Sequence, residues 1–211
     1  MVTRAAYGGG MELSEAIRRR RMVRAYDPAR PVPDRVVDAL LASAIRAPSA
    51  GFSQGWAFLV LDTADQVAAF WRTTAGDRLQ EPDRWLRGMM TAPVVIVPMS
   101  HKDAYLERYA EPDKGWTDRD EARWPVPYWH VDTGMAALIL LLAAHDIGLA
   151  GCFFGVPPAQ WPSLFAAFDV PAGLAPVGVV SLGYPAPDRR SPSLKRGRRQ
   201  LAEVVSYGSF D

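Results

Sequence analysis

Arginine is the chemically loaded residue type most densely grouped in this chain. Five guanidinium groups fall within seven residues, at Arg18, Arg19, Arg20, Arg21 and Arg24. A second basic group near the C-terminus comprises Arg189, Arg190, Lys195, Arg196, Arg198 and Arg199. A smaller pair, Arg84 and Arg87, sits one helical turn apart. The planar fork of a guanidinium matches the oxygens of a phosphate, so each group is a candidate anion site. Each group taken alone also reads as a solvated face. Nucleic acid is the competing partner of such clusters. Against it, the net charge is only +1, so no global field gathers a polyanion or draws the chain to an anionic membrane.

A loop of unusual composition forms the second candidate. Residues 47–56 read APSAGFSQGW, between an amphipathic segment and an apolar one. A plain connector would need neither the Gln nor the Trp. The loop is shaped to hold something.

Other chemistries are excluded by what is missing. No GxGxxG follows a strand and no GxxxxGK[ST] occurs, so neither dinucleotide fingerprint nor P-loop is present. Three histidines (His101, His130, His145) and one cysteine give no metal-ligand spacing. No G-x-S-x-G nucleophile elbow occurs. Cys152 lies in an apolar run and reads as a buried structural thiol. A lone cysteine also fits a reducing compartment, and the cytoplasm is the expected location. His145 reads as a cation at a helix terminus. His130 reads as structural, although it lies beside a Trp/Tyr/Pro-rich stretch.

The elements that must position these groups follow from periodicity. The 211 residues are 49% hydrophobic and 22% charged, which suits one domain with a sizeable core. Residues 1–11 read as a disordered leader, without an apolar signal segment, and residues 12–211 as the single domain. Helices are expected at 12–20, from Val32-Pro33-Asp34 onward, and at 64–74, 82–90, 128–147 and 157–168. Val36, Val37, Leu40, Leu41, Ala44 and Ile45 make one buried face. Strands are expected at 56–62, 93–99, 150–155 and 177–184, with 93–99 central. The run MAALILLLAA, residues 135–144, is too short to span a bilayer and reads as a core helix ending at Gly148. Residues 103–127 are polar and rich in Pro and Trp, and read as an excursion or lid. The order of elements predicts an α+β, three-layer arrangement with helices covering a mixed sheet.

Four pieces in order then resemble the FMN-dependent nitroreductase family. Arg20-Arg21-Met22-Val23-Arg24-Ala25-Tyr26 is similar to its R-R-S-x-R-x-[FY] opening. Residues 47–56 are similar to its A-P-S-x-x-N-x-Q-P-W loop. Leu141-Leu142-Ala143-Ala144 with Gly148-Leu149 is similar to its L-A-A-x-x-x-G-L helix end. Gly183-Tyr184-Pro185 followed by Arg196-x-Arg198 is similar to its G-x-P strand end and C-terminal basic pair. Together they run from residue 12 to about 205, nearly the whole chain. Met22, Phe52 and Gly55 depart from the pattern, standing where Ser, Asn and Pro are usual.

The resemblance implies a mainly antiparallel sheet and a domain-exchanged homodimer with FMN at its interface. It implies that Arg20, Arg196 and Arg198 hold the FMN phosphate, with Arg21 and Met22 in the same motif. Arg24 and Arg87, with Arg84 as a further candidate, would face the pyrimidine edge. Pro48, Ser49, Ala50 and Phe52 would meet the flavin across the interface, and Ser53 and Gln54 would shape that loop. Phe153, Phe154 and Gly155 would lie against the ring and its N5. The implied activity is ping-pong transfer from NAD(P)H to a small electrophile, such as a nitroaromatic or quinone, with the flavin carrying the chemistry and no catalytic side chain. Alternatives within the family are flavin destruction to dimethylbenzimidazole, reductive dehalogenation and a biosynthetic dehydrogenation. A non-catalytic flavin- or deazaflavin-binding protein is another. No metal, nucleic acid or membrane is expected as a partner.

Overall fold

The computed structural model describes residues 11–210, so the expected leader lies outside the described residues except for Met11. The chain runs α1 (Leu13–Arg19), α2 (Asp34–Ala44), β1 (Trp56–Leu61), α3 (Ala64–Thr74), α4 (Arg84–Met89) and β2 (Val94–His101). It continues with α5 (Lys102–Ala110), α6 (Tyr128–Asp146), β3 (Ala150–Phe154), α7 (Trp161–Ala167), β4 (Leu174–Pro176) and β5 (Val179–Gly183). Local chemistry sets several starts. Thr63 and Gln66 form a reciprocal capping box at α3. The Asp83 side chain accepts the Leu86 amide at 2.7 Å and opens α4.

The sheet has the order β1-β2-β5-β3, with every pair of named strands antiparallel. β4 pairs with the C-terminal end of β2, beyond the reach of β5. One parallel bridge, Met22 to Gly151, adds the basic segment beyond β3 and makes the sheet mixed. β2 is central as expected, and its continuous apolar run is buried on both faces. Val94 and Ile96 face α2 and α6 with Val180 and Leu182. Val95, Val97 and Met99 face the other way, toward Phe70, Trp71, Leu86 and Leu164 of α3, α4 and α7. The result is the expected three-layer α+β sandwich.

Three features differ from the sequence expectation. Residues 102–110 form a helix, α5, inside the supposed excursion. Its mean apolar periodicity is weak, because it buries only Tyr105. β4 is three residues long and carries no sequence signal. Finally, α6 is not covered all round: Tyr128, Val131, Met135 and Leu138 are exposed along one face. The segment after Asp188 has no buried residue up to 210, yet displays Leu194, Leu201, Val204, Tyr207 and Phe210. Among the described residues no helix is long and apolar enough to cross a membrane.

Candidate functional site

The basic segment is held in an extended form along the free edge of β3. Val23 N–H donates to Gly151 O at 3.1 Å. Further on, Asp27 N–H donates to Tyr184 O, and Tyr26 N–H to Thr91 Oγ1, both at 2.9 Å. The Tyr26 hydroxyl is buried between Val23 O and Ser181 Oγ, each at 2.7 Å. Burial is the main reason its ionisation is pushed far up, so it stays a neutral anchor. The segment is thus pinned at four points while its arginines remain outside the core.

Each arginine has a different surrounding. Arg20 enters a cleft of about 240 Å³, lined also by Arg19, Arg21, Leu141, His145 and Gly148. Arg20 Nη1 is buried there with no hydrogen-bond partner among the described residues. So is His145 Nε2, in the same cleft. Burial, and then the charges of Arg20 and Arg19, hold His145 below the usual histidine range. Arg21 is paired with Asp188 at 3.5 Å. The same carboxylate oxygen accepts the Arg24 amide at 3.0 Å. Arg24 Nη1 donates to Met22 O at 3.3 Å. α4 presses against the Arg24 backbone, since a Cβ on Gly88 would lie 2.1 Å from Arg24 O. Arg84 and Arg87 on α4 are exposed, and Arg87 donates to Pro82 O.

The end of β3 completes this edge. Phe153 N–H donates to Met22 Sδ at 3.3 Å, and the Phe153 ring lies where a Cβ on Gly178 would be. Phe154 turns the other way. It stacks on Trp71 with ring centroids 5.7 Å apart and meets Trp85 edge-on. Gly155 is exposed with open space beside it. Cys152 is buried and its thiol is pushed up by burial, as expected of a structural cysteine. His130 Nδ1 is bonded to Ser100 Oγ at 2.9 Å, beneath β4.

The loop at 47–56 is elsewhere. It precedes β1, while the arginines line β3, and three strand steps separate those edges, about 14 Å. Pro48 and Phe52 are exposed, and Ser49 and Ala50 are half-buried. Arg196 and Arg198 are exposed on the C-terminal segment and are not among the residues that line the Arg20 cleft. The chain therefore gathers Arg20, Arg21, Met22, Arg24, Phe153, Phe154 and Gly155 along one edge, with α4 adjoining. It does not bring the loop to that edge. Sequence reading missed the carboxylates Asp188 and Asp132 and assigned His145 no ligand role. The available signal for Asp132 was a lone acid in an apolar helix, which must find donors if buried.

Fold and site together define a three-layer α+β protein with a basic cleft where the arginine segment joins the sheet edge. The sequence model of the Nitroreductase family matches residues 17–184. The chain belongs to the nitroreductase family. A protein of Methanothermobacter thermautotrophicus, provisionally named NADH dehydrogenase/NAD(P)H nitroreductase, is 28% identical over 179 residues, 83% of this chain and 78% of its own length. The crystal structure of a protein provisionally named a nitroreductase, in complex with FMN, from Desulfovibrio desulfuricans is 27% identical, with a TM-score of 0.69 over 95% of this chain and 99% of the other. A nitroreductase-like protein of Streptococcus mutans shares the fold at 19% identity, with a TM-score of 0.70 over 92% of this chain and 97% of its own.

Proposed function

We propose that the protein is an FMN-dependent oxidoreductase, a homodimer that passes reducing equivalents from NAD(P)H to a small electrophile such as a nitroaromatic or quinone. The observation that carries this reading is the pair of unpartnered buried nitrogens, Arg20 Nη1 and His145 Nε2, in one basic cleft. A buried guanidinium nitrogen without an acceptor costs stability, and a phosphate would satisfy it, and His145 as well when Nε2 carries the ring proton. The residues present thus fit a flavin mononucleotide. A relative of 27% identity binds that molecule in its crystal.

FMN, when bound, supplies the hydride chemistry. The chain's residues bind and orient it. Arg20 holds the phosphate, with His145 beside it and Arg196 and Arg198 brought from a C-terminal segment. Arg24, its backbone amide held by Asp188, would face the pyrimidine edge and supply positive charge there, with Arg87 and Arg84 adjoining. The open space at Gly155 leaves room for a substrate. A second copy is needed because the loop and the arginines stand at opposite edges of the sheet. The exposed apolar face of α6 gives that copy a surface to bury.

Titration with FMN and with riboflavin tests the reading. Wild-type protein should prefer FMN. Arg20→Ala should lose about 10- to 100-fold in FMN affinity, the range of a charge-assisted hydrogen bond, with riboflavin affinity unchanged. Anaerobic NADH or NADPH should then bleach the bound flavin. Protein that takes up neither flavin, or an Arg20→Ala variant with full FMN affinity, would overturn it.

A further inference from the structure

We infer that Asp132 and Tyr105 are positioning residues for the loop 48–54, with Arg108 as a third fastening. The inference rests on the reading that this loop meets a flavin. The loop closes on itself, with Phe52 N–H donating to Ser49 O at 2.9 Å and Gln54 N–H to Ser49 Oγ at 3.0 Å, but its backbone is strained. Gly51, Phe52 and Gln54 all have left-handed φ angles, +59, +57 and +50 degrees, and two of these are not glycine. Such residues persist only where the surroundings over-determine them. Phe52, at the tip, is 73% exposed and gives no inward hold.

A further hold comes from below. Asp132 projects from α6 and is 2% exposed. A buried carboxylate needs donors. It has two on one oxygen: the Ala50 amide at 2.8 Å and the Tyr105 hydroxyl at 2.7 Å. Tyr105 is buried, and burial followed by the Asp132 bond pushes its ionisation well up. It therefore remains a donor throughout the working pH range. Arg108 Nε donates to Gly51 O at 2.9 Å. The rest of that guanidinium is clasped by Asp113 at 2.7 and 2.8 Å, which fixes its direction.

Packing repeats the pattern. The Tyr109 ring lies under Gly51 and the Tyr105 ring under Gly55, where a Cβ would come within 2.6 and 2.4 Å. Both rings are backed by Trp124, and Tyr109 also by Trp116. So the aromatic residues of 105–129 brace the loop from beneath. The outward residues Pro48 and Phe52 are set by atoms that reach no ligand themselves.

The test compares Tyr105→Phe, Asp132→Leu and Phe52→Ala in the full chain, with FMN affinity, thermal stability and amide hydrogen exchange as readouts. Tyr105→Phe keeps the ring and removes one bond to Asp132. It should weaken FMN binding about tenfold with little change in Tm, and Ala50 to Gln54 should exchange faster. Asp132→Leu removes the acceptor of both donors and should weaken FMN further, and Tyr105→Phe should add little on top of it in the double variant. Phe52→Ala reports on the loop reading alone and should also weaken FMN. If Phe52→Ala weakens FMN but both brace variants bind it normally, the brace is overturned and the loop reading survives. If all three bind FMN normally, both fall. A loss of FMN binding that only tracks a fall in Tm, without local exchange, would make the network merely structural and overturn the inference.

Discussion

Phe153 donates its amide hydrogen to the sulfur of Met22 at 3.3 Å, across the edge where the basic segment joins the sheet. The Met22 side chain also touches both halves of the core. A methionine here is thus a plug as well as an acceptor. The two roles separate by substitution. Met22→Leu keeps the volume and removes the acceptor, and should cost about 1 kcal/mol. Met22→Ala loses the packing too and should cost about 2 to 3 kcal/mol. Urea unfolding measures both, and a neutral Met22→Leu would show that the sulfur contributes no hydrogen bond.

Asp188 holds the same segment from the other side. One of its oxygens accepts the Arg24 amide and faces the Arg21 guanidinium. Its side chain is mostly buried, so removing it leaves the Arg24 amide without that acceptor. Asp188→Ala should destabilise by about 1 to 3 kcal/mol. Arg21→Ala should cost less, because its own side chain is substantially exposed and the ion pair is long. FMN affinity should follow the same order, since of these two side chains it is Asp188 that bonds the Arg24 backbone. Equal effects from the two variants would place the value in the ion pair instead.

The parts of this fold that were legible in the sequence are those where one signal dominates. β2 reads as central because its apolar run is unbroken, and it is buried on both faces. α3 begins and ends where periodicity puts it, helped by the Thr63–Gln66 box. α5 was hidden because it buries a single side chain, so no stripe forms. The site was legible as residue types on the segment 20–24. The partners that aim them were not. Asp188, 164 residues from Arg24, meets it only in the folded chain. Asp132 shows the same limit. In sequence it bounds an apolar run, and its role appears only when Ala50 and Tyr105 converge on it.

His145 makes stability depend on pH in a defined direction. In the folded chain burial and the facing charges of Arg20 and Arg19 lower its pKa from 6.5, while Asp146 acts the opposite way. The unfolded chain then takes up the proton first as pH falls. Stability should therefore decline as pH drops through 6.5 toward the folded value. His130 is lowered too, by its partial desolvation, and adds in the same direction. Thermal melts between about pH 7.5 and about pH 5.5 should show a falling Tm, less steep in His145→Gln. Inorganic phosphate should raise Tm most at the lower pH, because an anion in the cleft favours the charged ring. A pH profile unchanged in His145→Gln would remove the histidine from the cleft's electrostatics.

The uncovered face of α6 sets the last expectation. Leu138 is 50% exposed in the single chain, on a line with Val131 and Met135. Burying a leucine contributes about 1.5 to 3 kcal/mol, and a two-fold interface counts each position twice. Leu138→Glu would set two carboxylates into that surface and reverse the gain. The wild-type protein should sediment as a dimer and Leu138→Glu as a monomer. The monomer should also bind FMN weakly, although its own Arg20 cleft is intact, because the loop and the arginines occupy opposite sheet edges. A folded Leu138→Glu monomer that binds FMN as tightly as wild type would mean that one chain completes the site alone.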